Sequence, residues 1–206
     1  MRRGWMCGWG VDCAAFEACC RAHYPGEEPR VEPATWRGWA RLRAAGCDAL
    51  GGFSLGAWLL LRAAQLGEAA GGDVVLLAPF LAFPAEAGLG GRVKRVQLER
   101  VRRWLRTDPE GALGDFGRRC ELDLPLVNPA CREELEEGLA WLGSVELGAL
   151  PDAAQGWRAY VGDRDSLLDP VVVSPWRAAE VVAGVGHQAS ALMAADRRRR
   201  AEEVVR

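Results

Sequence analysis

The feature that most restricts the fold of this 206-residue chain is a Gly-x-Ser-x-Gly pentapeptide centred on Ser54. It separates a short apolar run from a longer apolar stretch of helical character, Trp58 to Leu66. In that setting the pattern predicts a strand that turns sharply into a helix and holds a strained serine above a sheet. Gly52 and Gly56 suit this turn because larger side chains there would collide across it. The alternative is a glycine-rich turn in which the serine is incidental.

Apolar runs recur along the chain in the order expected of an alternating α/β fold. The valine-rich run from Val74 to Leu77 is typical of a strand buried on both faces of a parallel sheet. Further strands are predicted at Trp5 to Cys7, Trp157 to Val161 and Glu180 to Val182. Helices are predicted from Asp12 to Cys20, from Thr35 to Ala45, after Ser54 and from Gln188 onwards. The sequence therefore predicts a mostly parallel sheet with flanking helices.

This alternation stops in the middle of the chain. From Pro84 to about Gly148 no strand pattern is visible, and three helices are predicted: Val93 to Leu105, Asp108 to Cys120, and Pro129 to Leu142. An all-helical block between strands is a natural cap over the carboxyl edge of a sheet, where ligands bind. We therefore expect a core formed by residues 1–83 and 149–206, with residues 84–148 inserted as a helical cap.

The charge of this block is uneven. Residues 88–120 hold nine basic side chains against four acidic ones, an excess of +5 in a chain whose net charge is −2. One interpretation is a solvated helix face. The other is a docking surface for an acidic partner.

Composition excludes several other classes of protein. A net charge of −2 argues against a general binder of nucleic acid or membrane surfaces. No apolar run has the length of a membrane span, and Met1 to Arg3 lead into no signal-peptide segment. Seven cysteines, an odd number without an export signal, favour free thiols, and their spacing gives no zinc motif. We therefore expect a cytoplasmic monomer without a metal or another cofactor.

Three side chains form a candidate catalytic set. Ser54 is followed by Asp165, just past a predicted strand, and by His187, just past the next one. A serine nucleophile needs a base to take its proton, and that base needs a carboxylate to fix its tautomer. Asp163 and Asp169 are the neighbouring alternatives, but Asp165 lies on the turn that leaves the strand. Taken singly, Asp165 would be an ordinary turn residue, and His187 would be a loop side chain whose hydrogen bonds are satisfied locally.

Two backbone amides are candidates for holding an oxyanion. The amide of Leu55 lies at the start of the helix that follows Ser54, where N–H groups are unpaired. The glycine-rich bend Gly8 to Gly10 exposes the backbone after the first strand, so Trp9 could donate a second amide. The alternative for this bend is an ordinary tight turn between a strand and a helix.

These segments together resemble the α/β hydrolases across essentially the whole chain. The resemblance rests on Cys7 to Asp12, Gly52 to Gly56, Gly162 to Asp165, and Gly186-His187. Within that superfamily the chain is most similar to the pimeloyl-acyl-carrier-protein methyl ester esterases of biotin synthesis. Two departures are visible: many relatives carry histidine where Cys7 stands, and the usual antiparallel N-terminal strands are expected to be reduced.

The resemblance implies a serine esterase with Ser54, Asp165 and His187 as its triad and the amides of Trp9 and Leu55 as its oxyanion hole. An apolar acyl chain would lie between cap and sheet, bordered by Phe80, Phe83, Trp104 and Phe116. An acyl carrier protein, or its phosphopantetheine phosphate, would meet the cap arginines Arg92, Arg95, Arg102 and Arg103. A thioesterase or general small-ester hydrolase is the alternative, and a non-catalytic binding module is a third.

Overall fold

The structure is a computed structural model that describes residues 1–69, 72–129, 131–144, 146–173 and 175–205. Its strands are Arg2–Met6 (β1), Glu28–Glu32 (β2), Ala49–Phe53 (β3), Asp73–Leu77 (β4), Ala82–Pro84 (β5), Gly90–Val93 (β6), Arg158–Gly162 (β7) and Ala179–Val182 (β8). Its α-helices are Cys13–His23 (α1), Trp36–Ala45 (α2), Leu55–Gln65 (α3), Arg95–Thr107 (α4), Pro109–Arg119 (α5), Arg132–Ser144 (α6), Pro170–Val173 (α7) and Ala189–Val205 (α8).

Six strands form one sheet in the order β2-β1-β3-β4-β7-β8, and every neighbouring pair in it is parallel. The central strand β4 has four consecutive buried residues, Val74 to Leu77, as expected of a strand inside a parallel sheet. The predicted α/β architecture with flanking helices is therefore confirmed. The carboxyl ends of β1, β3, β7 and β8 lie at one edge of this sheet. The segments that follow them contain the predicted site residues Trp9, Ser54, Asp165 and His187, respectively.

Helix starts follow local capping chemistry. The carboxylate of Asp12 accepts a hydrogen bond from the Ala15 amide (2.8 Å) and starts α1. Thr35 caps α2 in the same way, with its hydroxyl 2.9 Å from the amide of Gly38. Asp108 starts α5 ahead of a proline at its first position. These three predicted starts agree with the structure to within a residue.

The central segment contains a strand that the sequence did not predict. β6 lies within residues 84–148 and pairs in parallel with β5 to form a separate two-stranded sheet. Gly90 and Gly91 explain why it was not predicted. A strand is predicted from alternating apolar and polar side chains, and glycine has no side chain. Glycine is required here, since a Cβ at position 91 would lie 1.7 Å from the carbonyl oxygen of Phe83. The expectation that this block is free of strands was wrong.

The three remaining helices of this block form a layer of their own. α4 packs against α5 and α6, and α6 also packs against β5. Buried leucines on α4 and α6, among them Leu98, Leu105 and Leu139, face this layer's interior. The division of the chain at residues 83/84 and 148/149 stays a prediction.

No helix among the described residues is both long enough and apolar enough to cross a membrane. The apolar helix α3 has only 11 residues, fewer than the roughly 20 that a bilayer requires. The longer helix α8, with 17 residues, carries four consecutive arginines, Arg197 to Arg200.

Ion pairs with a buried arginine connect side chains at the amino-terminal edge of the sheet, opposite the edge where the predicted site residues lie. The side chain of Arg3, at the start of β1, is fully buried, and its Nε lies 2.6 Å from Oε2 of Glu27. Its guanidinium also pairs with Asp73 at the start of β4. Burial raises the pKa of the Glu27 carboxyl, but hydrogen bonds from Arg3 and Arg200 lower it by more, so the pKa lies below its ordinary value of 4.5.

Replacing Arg3 with Met should destabilise the fold by about 3 kcal/mol at neutral pH, because the buried carboxylate of Glu27 loses a partner. The contribution of Glu27 is complete above its ordinary pKa of 4.5 and disappears as the pH falls through its lower folded-state pKa. The free energy of unfolding, measured by urea titration, should therefore drop below that pH in the wild type and drop less in Arg3→Met.

The matched control is Arg2→Met on the same strand. The Arg2 side chain is 46% exposed, and its partner Glu28 is 66% exposed. Such a pair contributes at most about 1 kcal/mol. Equal losses in the two variants would contradict the assignment of the buried network as a stabilising element.

Candidate active site

Ser54 lies at a strained turn between β3 and α3. Its φ of 53° and ψ of −116° are unfavourable for a residue with a side chain. Glycines on either side permit the turn, since a Cβ at position 52 would lie 2.7 Å from the amide nitrogen of Ala57. A Cβ at position 56 would lie 2.1 Å from the carbonyl oxygen of Met6. The turn therefore has the geometry of a nucleophile elbow at the carboxyl edge of the sheet.

A continuous chain of hydrogen bonds starts at this serine. Nε2 of His187 lies 2.9 Å from Oγ of Ser54, and Nδ1 of the same ring lies 2.7 Å from Oδ2 of Asp165. All three side chains are buried, with 7%, 2% and 0% of Ser54, His187 and Asp165 exposed. The structure thus brings together the three side chains that the sequence proposed as a set.

The carboxylate of Asp165 is fixed by the backbone that follows it. Its Oδ1 accepts hydrogen bonds from the amides of Leu167 (2.8 Å) and Leu168 (3.1 Å), which leaves Oδ2 for the histidine. The two neighbouring aspartates are engaged elsewhere. Asp163 accepts from the amide of Gly184, and Asp169 from that of Val171. Local geometry therefore distinguishes Asp165 from both alternatives.

The histidine ring is held by an aromatic contact as well as by hydrogen bonds. Phe53, the residue before the serine, lies with its ring centroid 5.0 Å from that of His187. The other histidine, His23, is hydrogen-bonded through Nε2 to Oγ of Ser190 (3.0 Å) at the start of α8. His187 is therefore the histidine that contacts Ser54.

The amides of Trp9 and Leu55 are both available to a ligand. Neither donates a hydrogen bond to any atom in the described part of the chain. Leu55 is the first residue of α3, where amides have no partner within the helix. The Trp9 indole is anchored, with Nε1 donating to the carbonyl of Leu135 (2.9 Å) and the ring 4.7 Å from Phe116. The unpaired amides of Leu55, next to Ser54, and of Trp9, on the loop that follows β1, are therefore candidates for binding an oxyanion.

A short segment between α5 and α6, residues 123–127, holds the loop that carries His187. Oδ1 of Asp123 accepts from the amide of Ala189 (3.1 Å), and Oδ2 accepts from that of Ser190 (3.0 Å). These are the first two residues of α8, so Asp123 supplies the N-terminal cap of a helix distant in sequence. We call residues 123–127 the clamp.

The clamp also holds the loop that carries Trp9. The amide of Asp12 donates to the carbonyl of Pro125 (3.0 Å), and the amide of Val127 donates to that of Gly10 (2.8 Å). One segment therefore fastens two of the loops around Ser54.

A cavity of about 400 Å³ lies among α4, α5 and α6. Three of the four predicted aromatic residues, Phe83, Trp104 and Phe116, line it, together with several leucines. The fourth, Phe80, is not among the lining residues. It is 1% exposed and packs against Phe83, with ring centroids 5.1 Å apart. The cavity is therefore mainly apolar, as an acyl chain requires.

Arg92 does not extend freely from the surface. Its guanidinium donates to the carbonyl of Asp165 (3.2 Å) and lies 3.4 Å from the carboxylate of Asp169. It also lines the cavity. Arg92 therefore connects β6 to the loop that contains Asp165 and Asp169.

The other three predicted arginines differ in their surroundings. Arg95 pairs with Glu146 (2.6 Å), and Arg102 lies 3.6 Å from Glu99. Arg103 is exposed, and its side chain has no hydrogen bond or ion pair with the described residues. Of the four, Arg103 has the charge most available to a partner.

Sequence reasoning missed Asp123, Phe53 and the connection made by Arg92. Phe53 could have been inferred, because it adjoins Ser54 at the end of a strand. The sequence gives no indication of the role of Asp123. This residue lies in the short connection between α5 and α6, and its position depends on how these two helices pack. No group of three or more histidine, cysteine or acidic side chains in the described residues could hold a metal ion.

Solved structures share this architecture along nearly the whole chain. An esterase from Exiguobacterium antarcticum has a TM-score of 0.65 at 14% identity, covering 100% of this chain and 91% of its own. A thermophilic esterase from Thermogutta terrifontis has a TM-score of 0.57 at 17% identity, covering 100% and 89%. An alpha/beta hydrolase enzyme from a Medee basin deep-sea metagenome library has a TM-score of 0.58 at 11% identity, covering 90% and 82%.

These similarities show that the chain has the α/β-hydrolase fold. No protein-family model matches the chain, and no curated protein matches it.

Replacing Asp123 with Ala should loosen the first turn of α8, because two amides lose their acceptor. A lost N-cap costs about 1 kcal/mol. We expect hydrogen exchange at the Ala189 and Ser190 amides to accelerate about fivefold, the factor that corresponds to that energy. The control is Asp152→Ala, since this exposed carboxylate makes no hydrogen bond to a described residue. Unchanged exchange in Asp123→Ala would show that the clamp does not hold α8.

Proposed function

We propose that the protein is a serine hydrolase that cleaves carboxylic esters through an acyl-enzyme. The observation that carries this proposal is the unbroken hydrogen-bond chain from Ser54 Oγ through His187 to Asp165, built on a strained elbow. Strain at a serine that is also hydrogen-bonded to a buried histidine is typical of a nucleophile. The names of the similar structures, esterases among them, favour an ester as substrate.

In the proposed reaction, Ser54 Oγ attacks the carbonyl carbon of the ester while Nε2 of His187 takes the hydroxyl proton. The imidazolium that forms is stabilised by the carboxylate of Asp165, which also keeps Nδ1 protonated. The proton then passes from Nε2 to the departing alkoxide, and the alcohol leaves. Water repeats the sequence on the acyl-enzyme and releases the acid.

The negative oxygen that develops on the carbonyl would lie between the amides of Trp9 and Leu55. Removing one such donor from a comparable site typically costs about 10²–10³ in kcat. These donors belong to the backbone, so they are preorganised by α3 and by the clamp. The helix α3 adds the positive end of its dipole at the same point.

The cavity among α4, α5 and α6, whose lining residues do not include Ser54 or His187, is mainly apolar and would accept an acyl chain more readily than a polar substrate. Its volume of about 400 Å³ is within the range of small-ligand sites. A thioesterase would use the same groups, since a thioester carbonyl meets the same nucleophile and donors. Comparing an ester with its matched thioester separates these two reactions. A binding module without catalysis would leave the intact hydrogen-bond chain without a role.

Replacing Ser54 or His187 with Ala should abolish turnover of a p-nitrophenyl ester. Members of a triad act as a unit, so each change should lower kcat by about 10⁴-fold or more. Labelling by a fluorophosphonate should be lost in Ser54→Ala, and circular dichroism should show that the fold is retained. If either variant kept most of its turnover, the role proposed for that residue would be wrong.

Asp163 provides a matched control for the proposed catalytic acid, Asp165. Asp165→Asn should lower kcat strongly, because an amide cannot hold the histidine in the required tautomer. Asp163→Asn keeps an oxygen for the amide of Gly184 and should leave kcat nearly unchanged. Equal effects of the two substitutions would move the role of the acid away from Asp165.

We propose further that the ester is linked to an acyl carrier protein, as in the pimeloyl methyl ester of biotin synthesis. The support comes from the sequence resemblance and from basic side chains around α4. Lys94, Arg100 and Arg103 have no ion pair within the described residues. Arg95 and Arg102 are engaged by acidic neighbours, so the free charge is smaller than the sequence count suggests. Acidic carriers are attracted to such a surface over roughly 8 Å at physiological ionic strength.

Replacing Arg103 with Glu should raise KM for a carrier-linked ester several-fold and leave a small neutral ester unchanged. The control is Arg198→Glu, at an exposed position on α8. Added salt should weaken the carrier reaction only, because exposed charges are screened. If both substrates responded alike to the reversal and to salt, the carrier proposal would fail and a general esterase would remain.

A further inference from the structure

Two cysteines lie at the two ends of the loop that carries Trp9. Cys7 follows β1, and Cys13 is the first residue of α1. Their Sγ atoms are 3.3 Å apart, a contact between free thiols. A disulfide requires about 2.05 Å between sulfur atoms, so a shift of little more than an ångström would join them. The glycines at positions 8 and 10 between them allow the loop to adjust.

The two thiols have unequal surroundings. Cys7 is 1% exposed and directs its thiol towards the carbonyl of Val11 as well as towards Cys13. Both cysteines line a pocket of about 240 Å³, but Cys13 is only half-buried. An oxidant from solvent therefore reaches Cys13 first. Its position at the start of α1 also favours a negatively charged sulfur.

The direction of ionisation agrees with this geometry. The hydrogen bond shared with Cys7 lowers the pKa of the Cys13 thiol, although burial and the carboxylates of Asp12, Glu134 and Glu32 oppose the shift. The same hydrogen bond, together with burial, raises the pKa of Cys7. Cys13 is therefore the more easily ionised thiol of a pair whose sulfur atoms are in contact.

Other thiols in the described chain lack this combination. Burial raises the pKa of Cys19 to about 11 and that of Cys120 to about 12. Cys131 lines the same pocket as Cys13, but its sulfur contacts no other thiol among the described residues. It therefore has no partner with which to form a disulfide inside the chain.

We propose that Cys7 and Cys13 form a peroxide-sensitive dithiol that converts reversibly to a disulfide beside the candidate active site. The Cys13 thiolate attacks the terminal oxygen of a hydroperoxide, the O–O bond breaks, and the alkoxide takes a proton from water. The resulting Cys13 sulfenic acid is attacked by the Cys7 sulfur, which forms the disulfide and releases water. The hydroperoxide is reduced by two electrons, and a dithiol reductant returns both cysteines to the starting state.

The disulfide would act on the site through the Trp9 amide. It closes a short loop around that residue and draws the start of α1 towards the end of β1. A misplacement of about 1 Å in a catalytic group can cost roughly 10²-fold in rate, so we expect ester turnover to fall tenfold or more. This consequence rests on the proposed function, whereas formation of the disulfide does not.

The experiment treats the reduced full-length protein with equimolar tert-butyl hydroperoxide, blocks the remaining thiols and maps its peptides by mass. We expect one linked peptide pair joining Cys7 to Cys13, lighter by two hydrogens and restored by dithiothreitol. Ester turnover, measured on the same samples, should fall on oxidation and recover on reduction. Because the mass readout requires no hydrolysis, a failed disulfide and a failed esterase give different results.

Single variants assign the two roles. Cys13→Ser should form no disulfide and should keep its turnover under peroxide. Cys7→Ser should accumulate a sulfenic acid at Cys13, which dimedone traps. Cys131→Ser, from the same pocket, should behave like the wild type. Oxidation spread equally over Cys19, Cys47 and Cys131, or a Cys7–Cys13 disulfide that leaves turnover unchanged, would overturn the proposal.

Discussion

The close approach of α3 to the end of β1 is the constraint on which the candidate site depends. Position 56 lies so near the carbonyl of Met6 that any side chain would push the helix away from the strand. That separation would move the amide of Leu55 away from the loop of Trp9. The site is therefore defined first by backbone packing, and its side chains take positions that this packing allows.

The parts of the structure that could be predicted from the sequence are those with a local cause. The elbow at Ser54 follows from glycine spacing, and the α/β order follows from apolar runs. The proximity of Asp165 and His187 to the serine follows because parallel strands end at one edge. β6 and Asp123 could not be predicted, because the first has glycine where a pattern is needed and the second acts on a helix distant in sequence. The pairing of Arg95 likewise depends on how two helices pack.

The two edges of the sheet balance charge in different ways. At the amino-terminal edge, the buried guanidinium of Arg3 forms ion pairs with the carboxylates of Glu27 and Asp73. At the carboxyl edge, the buried carboxylate of Asp165 is compensated by two backbone amides and a histidine ring. Of these three partners of the carboxylate, the histidine is the one side chain, and the other two are backbone amides.

The clamp has a consequence for the temperature range of the protein. It is a loop of mostly exposed or half-buried residues, and such segments open at lower free energy than a buried sheet. Because it fastens both the Trp9 loop and the start of α8, its opening would release both segments in a single event. On heating, we therefore expect the arrangement around Ser54 to come apart before the sheet unfolds. The thermal limit of the candidate site would then be set by these five residues rather than by the sheet.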